Sequence, residues 1–255
     1  METKMKRIAI QFFSMLAVML AFAACNNDDT DPNDYYHNMT IGDVKEADGN
    51  SLYIDSDKGN KLLIQNSNEL TNHDIKAGDR LYAEFLMSDK HVQGYNNVMD
   101  VTYFYKVLTK DPVALTADNV QEIGDDKIAV TDIWCSKDYL NIQFQFFTDG
   151  TEAHLLNLVT TTDIPENSID SNYAYVEFRH NSKNDANLYP YNGIVSFRLD
   201  NLKKDKPNLK GLIVRVRTYN DGERLYKVNF TAQDGSDETQ SPRRNNLSEV
   251  TELAN

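Results

Sequence analysis

Between about residues 36 and 231 the apolar side chains recur with a period of two rather than 3.6, which excludes a helical bundle before composition is considered. In YLNIQFQFF, Leu140, Ile142, Phe144 and Phe146 alternate with Asn141, Gln143 and Gln145. That is the pattern of a strand with one buried and one wet face. LIVRVRTY repeats it, with Leu212, Val214 and Val216 set against Arg215 and Arg217. The runs are rich in Val, Ile, Phe and Tyr, as strands are. The chain is therefore expected to be all-β.

Pro112 divides the strand runs into two groups, because it cannot donate to a ladder and disfavours helix at Asp111. Residues 36–110 contain five runs: NMTIGDVKEA, SLYIDSD, KLLIQ, RLYAEFLM and VMDVTYFYKVL. Five strands suit a small OB-like barrel. Residues 113–231 hold roughly seven short runs, a number and spacing that suit a β-sandwich. Asp149-Gly150 and Asp221-Gly222 fall between consecutive runs and are expected to close tight hairpins, where positive φ is needed. Residues 232–255 are polar and read as a disordered tail, with SEVTEL as a short weak helix.

The start of the chain has another character. Lys4, Lys6 and Arg7 precede a mostly apolar segment from Ile8 to Ala24, interrupted by Gln11 and Ser14. This is the build of a signal peptide over residues 1–24. A membrane-spanning helix needs about 18 or more apolar residues, and this segment falls short. Ala23-Ala24-Cys25 resembles the lipobox of bacterial lipoproteins, with Phe22 where leucine is usual. In such proteins the cysteine is acylated and becomes the new N-terminus. Two or more acyl chains, at about 0.8 kcal/mol per buried methylene, anchor a protein stably. Cys25 is thus the expected lipidation site and the membrane the expected partner. Residues 25–35 (NNDDTDPND after the cysteine) read as a solvated tether. Asp28, Asp29 and Asp31 resemble the surface-export signal of Bacteroidota lipoproteins, which implies an outer-membrane, outward-facing address.

The 255-residue chain has a formal charge of −13. Losing residues 1–24 removes Glu2 and the cations Lys4, Lys6 and Arg7, leaving −15. Such a polyanion is a poor partner for nucleic acid, whose affinity rests on Lys and Arg displacing counterions. With Cys25 assigned to lipid, Cys135 is the one other cysteine, so no internal disulfide is expected. Cys135 has the strand parity of Ala129 and Ile133 and reads as a small buried hydrophobe.

The order of several short motifs resembles the NigD-like proteins of Bacteroidota. IAVTDIWCSKDYLNIQF, HLLNLV from His154, VEFRHN from Val176 and GIVSFRL from Gly193 resemble that family's carboxy-terminal β-sandwich. GDVKEADGNSLYIDSDKGNKLLI, KAGDRLYAEF and KVLTKDP resemble its amino-terminal OB domain. The resemblance implies a non-catalytic, lipid-anchored envelope protein associated with bacteriocin immunity. It supplies no catalytic residues. Surface glycan binding or envelope scaffolding is the competing expectation.

Two groups of residues are candidates for binding. Tyr82, Tyr103 and Tyr105, with Phe104, place rings on both faces of neighbouring strands, so some must reach the barrel surface, where OB folds bind ligands. Arg179, His180, Asn181 and Asp185, with His154, form the one constellation with acid–base character. His180 has the parity of Ala174, Val176 and Phe178, so these side chains are expected to satisfy buried backbone or one another at a sheet end. DSDKGN at Asp55 and DTDPND at Asp29 have the wrong spacing for a calcium loop and read as a turn and a tether. No G-x-S-x-G, phosphate loop, C-x-x-C or H-E-x-x-H is present, and no enzyme, metal or cofactor is expected. If the lipobox reading holds, labelled palmitate enters the wild-type chain and not a Cys25→Ala variant; equal incorporation into both would refute it.

Overall fold

A computed structural model of the chain describes residues 38–230, apart from Ile169 and Asp221. Cys25, the leader, the tether with its DTDPND segment and the carboxy-terminal tail lie outside the described residues.

The first strands are β1 (Asn38–Glu46), β2 (Leu52–Ser56), β3 (Lys61–Ile64), β4 (Arg80–Ser88) and β5 (Asn97–Lys106). They form a closed barrel in the order β1-β2-β3-β5-β4. β3 and β5 run parallel, pairing Leu62 with Asn97, and all other neighbours are antiparallel. The inward positions Val44, Leu52, Ile54, Leu62, Ile64, Leu81, Ala83 and Met99 fill the interior, and Leu70 of the short helix Ser67–Thr71 joins them. Gly42 pairs with Ser56 on one side and Leu81 on the other. A Cβ there would lie 2.6 Å from the Asp55 carbonyl and 2.6 Å from Ile54 Cγ2, so β1 passes this point only without a side chain.

The remaining strands are β6 (Leu108–Lys110), β7 (Val113–Ala114), β8 (Ala129–Ser136), β9 (Tyr139–Thr148), β10 (Leu155–Thr160), β11 (Tyr173–Asn181), β12 (Tyr189–Arg198), β13 (Gly211–Arg217) and β14 (Glu223–Asn229). They make two packed sheets, ordered β6-β12-β9-β8 and β14-β13-β11-β10-β7. Leu140, Ile142, Phe144, Val195 and Phe197 of the first share one core with Leu158, Val176, Phe178 and Val214 of the second. The Phe178 and Phe197 rings meet edge to face at 5.9 Å.

Three expectations change in detail. Leu108–Lys110, expected in the barrel, pairs in parallel with β12 and belongs to the sandwich. Asp149-Gly150 joins β9 to β10, which lie in different sheets, so this turn is a crossover and not a hairpin. Gly150 does have φ +82°, the property that suggested a tight turn. Gly222, with φ +68°, lies between β13 and β14, which are a true antiparallel pair. Asn141, expected on a wet face, is 0% exposed.

Asn141 is buried because the barrel sits on it. Arg80 of β4, 2% exposed, points outward from the barrel into the sandwich. Its Nε donates to Ser196 Oγ at 2.9 Å and one terminal nitrogen donates to Asn141 Oδ1 at 3.0 Å. The barrel answers with Asp43 Oδ1 at 3.2 Å and with Asp57 Oδ2. The guanidinium also stacks on Tyr139, 3.8 Å from the ring centre. Ser136 donates to the same Asp57 oxygen, and Lys137 Nζ reaches Asp55 Oδ1 at 2.6 Å. The acidic DSDKGN segment is thus the β2–β3 turn, with its two aspartates paired to cations.

Removing one member of a buried charge network leaves the others desolvated and uncompensated. Arg80→Ala is expected to lower unfolding stability by about 3–5 kcal/mol in urea titrations. Arg80→Lys should recover little, because a point charge cannot replace the planar fork. A loss below about 1 kcal/mol for Arg80→Ala would place the seam's stability elsewhere.

Candidate functional site

β4 and β5 carry the aromatic candidates. Their register shifts between Glu84 and Phe85: Glu84 pairs with Tyr103, whereas Phe85 pairs with Val101. Thr102 is the extra residue of this bulge, and its hydroxyl donates to the Glu84 carbonyl at 3.1 Å. A bulge reverses the facing of the residues beyond it. Val101 therefore points inward, Tyr103 and Tyr105 point outward with Tyr82, and Phe104 packs against the barrel core.

Tyr82 and Tyr105 are a cross-strand pair with rings stacked at 4.9 Å. Tyr103, 53% exposed, meets Tyr82 at 6.5 Å and Tyr105 at 6.2 Å. The Tyr82 hydroxyl donates to Glu84 Oε1 at 3.1 Å. Burial, reinforced by that bond, pushes the Tyr82 hydroxyl up to about 12, and burial also raises Tyr105. Both stay protonated at neutral pH as uncharged donors. Tyr191 of β12, itself 52% exposed, lies within electrostatic reach of Tyr105. Tyr191 stacks on Phe146 of the sandwich at 5.1 Å, an exposed ring that strand parity alone did not single out.

The second constellation divides. His154 Nε2 contacts Asp185 Oδ2 at 2.9 Å, His154 Nδ1 contacts His180 Nε2 at 2.8 Å, and His180 Nδ1 contacts the Lys127 carbonyl at 3.1 Å. Phe146 stacks on both imidazoles, at 4.2 Å and 5.1 Å. The side chains of His154 and Asp185 are 2% and 0% exposed, so the group is sealed from substrate. Arg179 and Asn181 turn to the other face of β11. Arg179 Nε donates to Glu177 Oε2 at 2.7 Å, and Asn181 Nδ2 donates to the Glu122 carbonyl at 2.7 Å. Nearby Arg215, which strand alternation places on a wet face, is buried against Asp125 and Glu223. Among the described residues no group of three or more His, Cys, Asp or Glu side chains is arranged to hold a metal ion.

Burial lowers the affinity of His180 for a proton, and the neighbouring His154 lowers it further. Burial alone would raise Asp185, but its hydrogen bonds with Asp149, Thr148 and His154 hold it below the ordinary carboxylate range. Cys135, 3% exposed, is pushed up to about 12 by burial.

An open cleft of about 420 Å³ lies at the seam, lined by Asp79, Arg80, Lys106, Leu108, Thr109 and Arg198 among others. Lys106 pairs with Asp79 at 2.6 Å and Arg198 with Asp111 at 3.6 Å, so the cleft's cations already face carboxylates.

Comparison with known proteins agrees with this architecture. Residues 41–107 match the model of the NigD-like N-terminal OB domain and residues 111–230 that of the NigD-like C-terminal beta sandwich domain. A Bacteroides vulgatus protein of unknown function superposes with a TM-score of 0.66 at 25% identity, over 80% of this chain and 97% of that one. A toxin-related protein from Parabacteroides distasonis gives 0.61 at 26% identity, over 76% and 92%. A NigD-like immunity protein from Bacteroides caccae gives 0.55 at 16% identity, over 75% and 91%. No curated protein matches the chain.

The buried groups make two tests possible. Because His180 takes up a proton less readily in the fold than in the unfolded chain, its contribution to stability is present above about pH 6.5 and falls on acidification below it. Asp185 adds a further loss at lower pH, as its carboxylate is forced to protonate. Thermal melts of wild type and His180→Asn across pH 4–8 would show the acid loss reduced in the variant. Cys135 should react with a thiol reagent only as fast as the protein unfolds; prompt labelling of the native state would contradict its burial.

Proposed function

We propose, on the premise that this chain belongs to the NigD-like family, that it is a lipid-anchored, non-catalytic binding protein of the cell envelope that captures or shields against a bacteriocin. The observation that supports this most directly is the tyrosine cluster on the barrel's outer face, in which exposed Tyr103 packs against half-buried Tyr82 and Tyr105. Tyrosines held on paired strands offer large rigid contact area at little entropic loss, which is why they dominate recognition surfaces. Their hydroxyls remain uncharged donors, suited to a polypeptide backbone. The net negative charge would hasten encounter with a cationic partner. A relative's description as an immunity protein and another's as toxin-related lend further support.

Glycan recognition is the second reading, favoured by the same flat rings beside the Glu84 carboxylate. Either reading places the protein on the envelope through Cys25, at the outer membrane and facing outward, with no nucleic-acid partner.

Deleting the gene and challenging cells with bacteriocins from neighbouring strains tests the first reading. Sensitivity should rise to at least one of them, and a Tyr103→Ala/Tyr105→Ala allele should complement about tenfold less well than wild type, as loss of interface tyrosines usually does. Unchanged sensitivity across the panel removes immunity. A positive glycan array, abolished by the same double substitution, would establish the second reading in its place.

A further inference from the structure

Asp185, His154, His180 and the Lys127 carbonyl form an unbranched file with three hydrogen-bonded gaps of 2.9, 2.8 and 3.1 Å. Both ends can only accept. The carbonyl has no proton to give. Asp185 receives the Asp149 N–H at 3.2 Å, the Thr151 hydroxyl at 3.3 Å and the Thr148 hydroxyl, whose oxygen itself accepts the Gly150 N–H at 2.8 Å. A carboxylate so surrounded by donors is ionised.

Three gaps between terminal acceptors need three protons, and two neutral imidazoles bring only two. Two neutral rings would therefore leave a pair of lone pairs facing each other, against Asp185, between the rings or against the carbonyl. A third proton, drawn from solvent, removes the conflict. It makes His154 donate to Asp185 and to His180 Nε2, while His180, a neutral Nδ1–H tautomer, donates to Lys127.

We propose that the His154–His180 pair carries one proton beyond neutrality, balanced by Asp185, and that this proton latches the 182–188 loop onto the end of the sandwich. The charged groups around it are Asp185 and Asp149 on the adjoining loops and Asp126, which accepts from the Ser182 N–H at 2.8 Å and attracts charge at His180. Cationic Arg217 also acts on Asp126. The reluctance of His180 to ionise fits a pair that holds one extra proton and refuses a second.

The latched loop runs directly into Leu188, Tyr189 and Tyr191, all exposed, and Phe146 stacks between the histidines and Tyr191 at 5.1 Å. Any effect on binding rests on the tyrosine surface being the contact face; the protonation does not.

The sign of the pH dependence is specific. Below about pH 6.5 the unfolded pair binds two protons and the folded pair one; above it the unfolded pair binds none and the folded pair still one. The pair's contribution to stability therefore peaks near that pH and falls on both sides, by up to about tenfold in the folding equilibrium constant per pH unit. Comparing unfolding of wild type and a His154→Gln/His180→Asn double variant from pH 5 to 9 should yield this peak. A contribution flat above pH 6.5 would mean two neutral rings and overturn the proposal. Should the variant fail to fold, nitrogen NMR of the wild-type imidazoles decides: one doubly protonated ring and one Nδ1–H ring at pH 7 support the latch, and two singly protonated rings refute it. A Tyr103→Ala/Tyr105→Ala allele that complements as well as wild type while the peak is observed would leave the proton in place and count only against the tyrosine surface.

Discussion

A guanidinium removed from water has to find partners in every direction, and Arg80 finds them on both sides of one seam. Asp43 and Asp57 come from the barrel, Asn141 and Ser196 from the sandwich, and Tyr139 stacks on its face. Apolar contact tolerates sliding; this set does not, because each donor of a planar fork has a fixed direction. The seam therefore holds the barrel at one orientation on the four-stranded sheet. Val107, whose N–H donates to the Arg80 carbonyl at 2.8 Å, brings the chain out of β5 at the point where β6 must join β12.

That orientation decides what the surface presents. With the barrel seated over Asn141 and Ser196, Tyr82, Tyr103 and Tyr105 lie on its outer face, while Tyr191 stacks on Phe146 of the sandwich. A single inserted residue, Thr102, sets which rings take part. Without the bulge, Tyr103 would share the facing of Val101 and Phe104 would be outside.

The two constellations differ in the resource they offer. The histidine file is almost wholly buried, so its chemistry is internal and bears on stability and on the loop that Asp185 ties down. The tyrosines are held firmly yet left open, which is the condition for recognition. The chain belongs to the NigD-like family through both of its domains, the barrel and the sandwich.

By itself, the sequence determined that the chain is a succession of strands, where most of them begin and end, that it divides near Pro112, and that His180 lies on an apolar face. A period of two reports local facing, and local facing is written in adjacent residues. What covers each face was decided only by tertiary structure. Asn141, Arg80 and Arg215 occupy positions that local pattern marks as wet, and each is buried because a distant segment arrives over it. The same limit applied to Asp149-Gly150, whose residues specify a turn but not which sheet the next strand joins, and to Arg179 and Asn181, adjacent in sequence to His180 yet on the opposite face. Strand pairing and domain docking are long-range choices, settled by the whole set of buried charges and side chains together, and no single stretch of the chain contains them.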